Sequence, residues 1–277
     1  MKLSLCIATF NEESNIHYPM DSAYDFVDEV IIVDGGSADK TVEIARAYGK
    51  KVKIINSDNP AMFHINKQKA IEAATGEWIL QLDADEALSP ELKQEFRYSI
   101  LDISKKNPES QNLISNIVAY YLPRKNFFLT RFLAKGGQYP DYTIRLYRNG
   151  HVKFPLKSVH ENVEIIPNNK YPISNIGFLN NPILHYADPD FSRYLVRWDR
   201  YTSLEADQLF NKKKLTISNF TVFDFFFLKP VYTFFSMYFR HLGFLDGFPG
   251  FVFALFSSLR FWVIYIKLYT QKDTLTK

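Results

Sequence analysis

Two carboxylates separated by one residue, Asp83-Ala84-Asp85, follow the apolar run Trp78-Ile79-Leu80-Gln81-Leu82. Carboxylates spaced this way in a turn can share a hard divalent cation, and Mg2+ or Mn2+ binds through one or two carboxylates plus substrate phosphates. The same residues also suit a solvated turn ahead of a helix, because Ser89-Pro90-Glu91 is a good helix start. A second polar cluster, Asp34-Gly35-Gly36-Ser37, follows Val30 to Val33. Asp34 is placed there to accept hydrogen bonds from a base or ribose, or only to close a strand-to-helix turn. The cluster is not a dinucleotide fingerprint, since the spaced third glycine is absent. A third cluster, Thr9-Phe10-Asn11-Glu12, ends the first apolar run.

The elements that must position these groups follow from periodicity. Leu3 to Thr9, Val30 to Val33, Val52 to Ile55 and Trp78 to Leu82 are short β-branched or apolar runs bounded by polar or glycine residues, which predicts buried strands. Asn15 to Phe26, Ala38 to Tyr48 and Met62 to Ala74 have helical character, with Gly49 and Gly76 placed as helix stops. Alternating strands and helices predict an α/β fold with a mostly parallel sheet. Ligands bind outside the carboxyl ends of such strands, so the three polar clusters are expected to converge on one crevice. Ile117 to Leu122, Thr143 to Tyr147 and Ile183 to Tyr186 predict an antiparallel extension. Asp188 to Lys213 predicts a long charged helix capped by Asp188, with Pro189 at its first position.

Ile7-Ala8-Thr9-Phe10-Asn11-Glu12-Glu13, Val33-Asp34-Gly35-Gly36-Ser37, and Ala74-Thr75-Gly76-Glu77-Trp78 leading into Leu82-Asp83-Ala84-Asp85-Glu86 together resemble family 2 glycosyltransferases of the GT-A fold. More narrowly, the chain is similar to the bacterial branch that adds glucose to the lipopolysaccharide inner core, the β-1,4-glucosyltransferase group. The resemblance implies inverting, metal-dependent transfer from a nucleotide sugar, with glucose from UDP-glucose as the expected donor and a lipid-linked saccharide as acceptor. It implies that Ala8, Thr9, Phe10, Asn11, Glu12 and Asp34 form the nucleotide pocket and that Asp83 and Ala84 lie by the ribose. Asp85 would bind a Mg2+ or Mn2+ ion bridging the diphosphate, with Asp83 beside it, and His185 would contact the metal or diphosphate. Lys67 stands where many members have an arginine that meets the pyrophosphate, and Gly35 where many have a second aspartate.

An inverting displacement needs a carboxylate to take the acceptor hydroxyl's proton. Glu161, in Val159-His160-Glu161-Asn162, is favoured for that task, with Asp141 second. Structural roles stay open: His160 as a hydrogen-bonded core histidine, Asp141 as a partner of Arg145, His185 as a strand end. Arg124, Lys125, Lys135, Arg145, Arg148, Lys153 and Lys157 would suit an anionic acceptor, or a solvated surface.

Composition bounds the rest. The 277 residues carry a net charge of only +3, which gives no reason to expect nucleic acid as a partner. A single cysteine, Cys6, points to a reducing compartment, and Met1 to Glu13 has too short an apolar run for a secretory signal. A cytoplasmic location peripheral to the inner membrane is therefore expected. Of the 25 Phe, 17 Tyr and 3 Trp, a disproportionate share lies beyond Leu215. Residues 1–214 are read as the glycosyltransferase domain and 215–277 as an aromatic helical tail. Pro230, Gly243, Gly247, Pro249 and Gly250 are expected to break the tail into helices too short to span a bilayer, suited to attachment at the inner face of the membrane or to capping the domain. Two other functions stay open: sugar transfer to polyprenyl phosphate, and a non-catalytic lipid-surface binding module.

Overall fold

The computed structural model describes residues 2–60, 62, 64–96, 117–155, 163–166, 176–211 and 215–275. The chain divides into two compact units, one of Met1–Arg124 with Asp141–His185, the other of Lys125–Pro140 with Tyr186–Lys277. This division departs from the expected boundary at 214/215, because the charged helix expected to end the first domain packs with the aromatic helices that follow it.

The first unit begins with alternating elements: β1 (Leu3–Thr9), α1 (His17–Ala23), β2 (Glu29–Asp34), α2 (Thr41–Ala47), β3 (Val52–Asn56), α3 (His64–Glu72) and β4 (Trp78–Gln81). Then come β5 (Glu86–Leu88), α4 (Pro90–Phe96), β6 (Ala119–Phe128), β7 (Arg131–Phe132), β8 (Asp141–Arg148), β9 (Val152–Lys153), β10 (Glu164–Ile165), β11 (Ile176–Phe178) and β12 (Ile183–Asp188). The main sheet runs β3-β2-β1-β4-β8-β6-β12-β5. Its first four strands are parallel, and β8 joins β4 antiparallel. Apolar side chains cover both faces, as a buried parallel sheet requires: Leu5, Ile7 and Leu80 on one face, Cys6, Ile31 and Ile79 on the other. The parallel register pairs Thr9 with Asp34, so the loops after β1 and β2 start side by side.

A polar clasp fixes the opposite end of these strands. Glu29 accepts hydrogen bonds from Ser4 Oγ at 2.5 Å and the Thr75 and Gly76 amides at 2.6 and 3.1 Å. Gly76 is required there, since a Cβ would lie 2.4 Å from Ser4 Oγ. Burial alone would raise the Glu29 pKa, but the Ser4 and Thr75 hydrogen bonds and Lys2 outweigh it and lower it from 4.5 to about 2. A depressed carboxylate pKa adds stability that is present above its ordinary value and lost as pH falls through the folded value. Glu29→Gln is therefore expected to cost about 1–2 kcal/mol at pH 7, and the difference from wild type should shrink between pH 4.5 and 2. Urea midpoints across that range provide the check, and a penalty independent of pH would exclude an ionised clasp.

The second unit is mainly helical. α5 (Phe191–Asn211) is followed by α6 (Asn219–Phe223) and α7 (Lys229–Phe235), joined and extended by π-helical turns at Asp224–Leu228 and Ser236–Arg240. A 3-10 turn at Gly243–Asp246 leads into α8 (Gly247–Leu275). The cap of α5 is Asp190, whose Oδ1 accepts the Arg193 amide at 2.8 Å; Asp188, the expected cap, is instead buried and paired with Arg197. α8 also corrects the expectation of short helices, being 29 residues long. Pro249 and Gly250 sit in its first turn, where proline sacrifices no hydrogen bond. Gly250 lies so near the preceding turn that a Cβ would be 2.1 Å from the Gly243 carbonyl oxygen. These residues start the helix rather than interrupt it. By length and composition alone the segment Gly243–Gln271 could cross a membrane.

Candidate active site

The three polar clusters follow strands that are adjacent and parallel in the first unit, β2 beside β1 and β1 beside β4, so they leave the sheet at the same edge. The loops after β1 and β2 are laced together: Gly35 N–H donates to the Thr9 carbonyl at 2.8 Å, Ser37 Oγ accepts the Asn11 amide at 2.8 Å, and Asn11 Oδ1 accepts the Ala38 amide at 2.9 Å. Asn11 adopts a left-handed φ of 53°, a conformation asparagine tolerates better than most residues. Glu12 N–H donates to Thr41 Oγ1 at the start of α2. Ala8 is partly buried in β1, Thr9 is buried and Phe10 is exposed on the loop. Asp34 turns its carboxylate onto its own loop, accepting the Gly36 and Ser37 amides at 3.0 and 2.9 Å and the Ser37 hydroxyl at 2.5 Å. Its observed role is to shape the turn.

At the end of β4 the Asp83-Ala84-Asp85 turn separates its two carboxylates into different environments. Asp83 is gripped by cations: Lys67 from α3 on Oδ1, and Arg145 from β8 on Oδ2 at 2.7 Å. Arg145 also bonds Gln81 Oε1 and reaches Glu86 Oε1 at 2.8 Å. Glu86, fully buried on β5, accepts the Asp83 amide through Oε2 at 2.9 Å and lies 3.7 Å from Arg124. Arg124 holds Asp141 through Nε and Nη2, at 3.0 and 2.6 Å. Burial works to raise the Asp83 pKa, yet Arg145 and then Lys67 hold it well below the usual carboxylate range. Burial lowers the Lys67 pKa against the pull of Asp83. Burial would lower that of Arg145 too, but Asp83 and Glu86 raise it instead.

Asp85 faces a different neighbour, with His185 Nε2 3.5 Å from its Oδ2. The antiparallel register of β12 with β5 places His185 opposite Glu86 and so beside the turn. Among the described residues no three His, Cys, Asp or Glu side chains gather around one point. Asp85 offers one carboxylate and His185 one imidazole nitrogen, so a divalent ion held here would need phosphate oxygens and water to complete its coordination. Asp83, expected as a metal ligand, is occupied by Lys67 and Arg145.

Two further expectations change. Asp141 pairs with Arg124, not Arg145. Of the basic residues named above, Arg124, Arg145, Arg148 and Lys153 each meet a carboxylate. His160, Glu161 and Lys157 lie outside the described residues. Sequence reasoning missed the cluster formed by Gln81, Glu86, Arg124 and Arg145. Its signal was Gln81 inside an apolar strand and Arg145 between Ile144 and Leu146, polar residues at positions that a central sheet must bury and therefore pair.

The parallel half-sheet, the antiparallel extension and the Asp-x-Asp turn at a strand end define a GT-A architecture. Residues 4–150 match the model described as glycosyl transferase family 2, a stretch containing Asp34, Lys67, Asp83, Asp85 and Asp141. The chain belongs to that family and is a glycosyltransferase. It is 28% identical over 283 residues to an uncharacterized glycosyltransferase of Rickettsia felis, covering 100% of this chain and 91% of the relative. It is 24% identical over 281 residues to the lipopolysaccharide core biosynthesis glycosyltransferase LpsC of Rhizobium meliloti, covering 98% and 93% of the two chains. The crystal structure of S. aureus TarS 1-349 aligns with a TM-score of 0.45 at 18% identity, covering 97% of this chain and 88% of that one.

Proposed function

We propose that the protein transfers a hexose with inversion from a nucleotide sugar, UDP-glucose being the expected donor, to a lipid-linked saccharide of the lipopolysaccharide-core kind. The observation that carries this reading is the division of labour in the Asp83-Ala84-Asp85 turn. Asp83 meets two buried cations, Lys67 and Arg145, while Asp85 lies beside His185. The full-length likeness to a lipopolysaccharide core glycosyltransferase supports the acceptor class.

In this reading Ala8, Thr9, Phe10, Asn11 and Glu12 line the nucleotide, with Asp34 holding the adjoining turn. Asp85 and His185 would hold Mg2+ or Mn2+, which supplies Lewis-acid stabilisation of the leaving diphosphate. Lys67 and Arg145 add fixed positive charge near the same group, in a site already organised before the donor arrives. The acceptor oxygen attacks the anomeric carbon as the bond to the diphosphate breaks and its electron pair leaves with the diphosphate. A carboxylate takes the acceptor hydroxyl's proton. Glu161 and Asp141 are the two candidates, and Arg124 orients the second. Replacing the base is expected to lower turnover about 10²–10⁴-fold. Glu161→Gln and Asp141→Asn, assayed separately, should show this loss in one variant only. Turnover intact in both would favour a phosphate acceptor that needs no deprotonation.

The direct test is nucleotide release from UDP-, GDP- and ADP-sugars with and without Mn2+, followed by mass spectrometry of core saccharides from a deletion strain. Mn2+-dependent release from UDP-glucose and a missing hexose are the expected results. If calorimetry detects no Mn2+-dependent binding of any nucleotide sugar, the chain is a lipid-surface binding module instead.

A further inference from the structure

We infer that the helices of the second unit lie in the plane of a lipid bilayer surface, with their aromatic faces among the acyl chains and neither helix crossing. This deepens the lipid-linked acceptor reading by naming the surface on which the acceptor is met. Vesicle binding needs no donor, so the inference stands or falls separately from the transferase reading.

The first observation is a continuous apolar face. Phe220, Phe223, Phe227, Val231, Phe235 and Phe239 are 71, 49, 58, 55, 57 and 51% exposed. Phe223 follows Phe220 by three residues, and each later one follows its predecessor by four. An α-helix turns about 100° per residue, so steps of four advance about 40° each and would carry such a row round to the other side. The wider π-helical turns at Asp224–Leu228 and Ser236–Arg240 take back that advance and keep the row on one face. At about 1.5 Å per residue the face is about 30 Å long. Of the charges on this helix, Asp224 pairs with Lys229 at 2.7 Å, Lys229 Nζ lies 3.5 Å over the ring of buried Phe225, and Arg240 is exposed at the C-terminal end.

α8 adds a second open face, with Phe248, Trp262, Ile266 and Tyr269 exposed. Aromatic faces of this size without charge mark an interaction surface. Lipid fits better than protein, because the row itself is apolar and the exposed groups beside it, Tyr232 and Arg240, are the amphipathic and basic types that suit the headgroup region. An amphipathic helix at a bilayer buries such a face about 5–10 Å deep while its polar side stays in water.

The packing of α8 decides between lying and crossing. Although α8 has the length to span, its other face is fastened along α5. Trp198 Nε1 donates to the Phe256 carbonyl at 3.1 Å, Lys267 Nζ bonds Asp199 Oδ1 at 2.6 Å and Ser203 Oγ at 2.7 Å, and Gln271 Nε2 bonds Asp207 Oδ1 at 2.6 Å. A spanning α8 would draw Asp199, Arg200, Glu205 and Asp207 into hydrocarbon, where each charge is strongly disfavoured. Lying in the plane leaves α5 on the water side.

The test uses the full-length protein and vesicles of phosphatidylcholine mixed with phosphatidylglycerol. The protein should float with the vesicles, and acyl-chain bromination should quench part of its tryptophan fluorescence, the part lost in Trp262→Phe. Phe227→Ser combined with Phe235→Ser should weaken partitioning by about tenfold or more while nucleotide-sugar hydrolysis in solution stays unchanged. Nitroxides attached at Phe223→Cys, Val231→Cys and Phe239→Cys should report equal, shallow depths. A central probe markedly deeper than the outer two means a crossing helix and overturns the proposal. So does a protein that stays off vesicles, whether monomeric or, by light scattering, a dimer whose association the same paired substitution abolishes.

Discussion

Arg145→Met is expected to destabilise the folded protein by about 3–5 kcal/mol, the cost of breaking a buried ion pair from one side. Arg145 is buried and neutralises two carboxylates at once, Asp83 at 2.7 Å and Glu86 at 2.8 Å, while also bonding Gln81. Methionine fills much of the space but leaves Glu86 inside the sheet with the Asp83 amide and a guanidinium 3.7 Å away. Urea denaturation measures the loss. A second substitution, Glu86→Gln, should recover part of it by removing the uncompensated charge, so that the two changes couple. The linkage has a defined sign. Arg145 and Lys67 hold Asp83 below its ordinary pKa, so the stability it adds is present above that value and falls away as the pH drops below it. The variant should therefore lose more relative to wild type at pH 7 than at pH 3. Equal midpoints for wild type and Arg145→Met at pH 7 would rule out a structural role for the cluster.

Asp85→Ala should do the reverse, leaving the fold nearly unchanged and lowering turnover by about 10³-fold or more. Asp85 is less deeply buried than Glu86, and His185 Nε2 lies 3.5 Å from its Oδ2. The expected pattern is an unchanged melting temperature, a collapse of turnover with saturating Mn2+, and weakened Mn2+ dependence. His185→Ala should follow in the same direction with a smaller loss, about 10–100-fold. Turnover within threefold of wild type for Asp85→Ala would remove this turn from the chemistry. The two variants thus separate the carboxylates of one motif, Asp83 acting with Arg145 in stability and Asp85 with His185 in catalysis.

Much of this site was legible because the information was local. Short β-branched or apolar runs bounded by polar or glycine residues marked β1, β2, β3 and β4, and the polar residues after them emerge at one edge once the strands are parallel and adjacent. The three-residue strand β5 was not legible, since Glu86-Ala87-Leu88 is too short to show a period and looks like the continuation of an acidic turn. Glu86 was therefore read as part of a polar loop when it is a fully buried charge.

The sequence by itself determined the family, the order of the strands that build the donor side and the two carboxylates worth testing, because each of these rests on residues within a few positions of one another. Only the tertiary structure decided what those carboxylates do. Arg145 meets Asp83 across 62 positions and Arg124 meets Asp141 across 17, while the expected partner of Asp141 was Arg145, four positions away. Ion pairs between distant segments depend on strand register and on which side chains the sheet buries. The same holds for the C-terminal helices. Composition revealed their excess of aromatics, but whether Pro249 and Gly250 break a helix or begin one depends on the packing of Gly250 against Gly243.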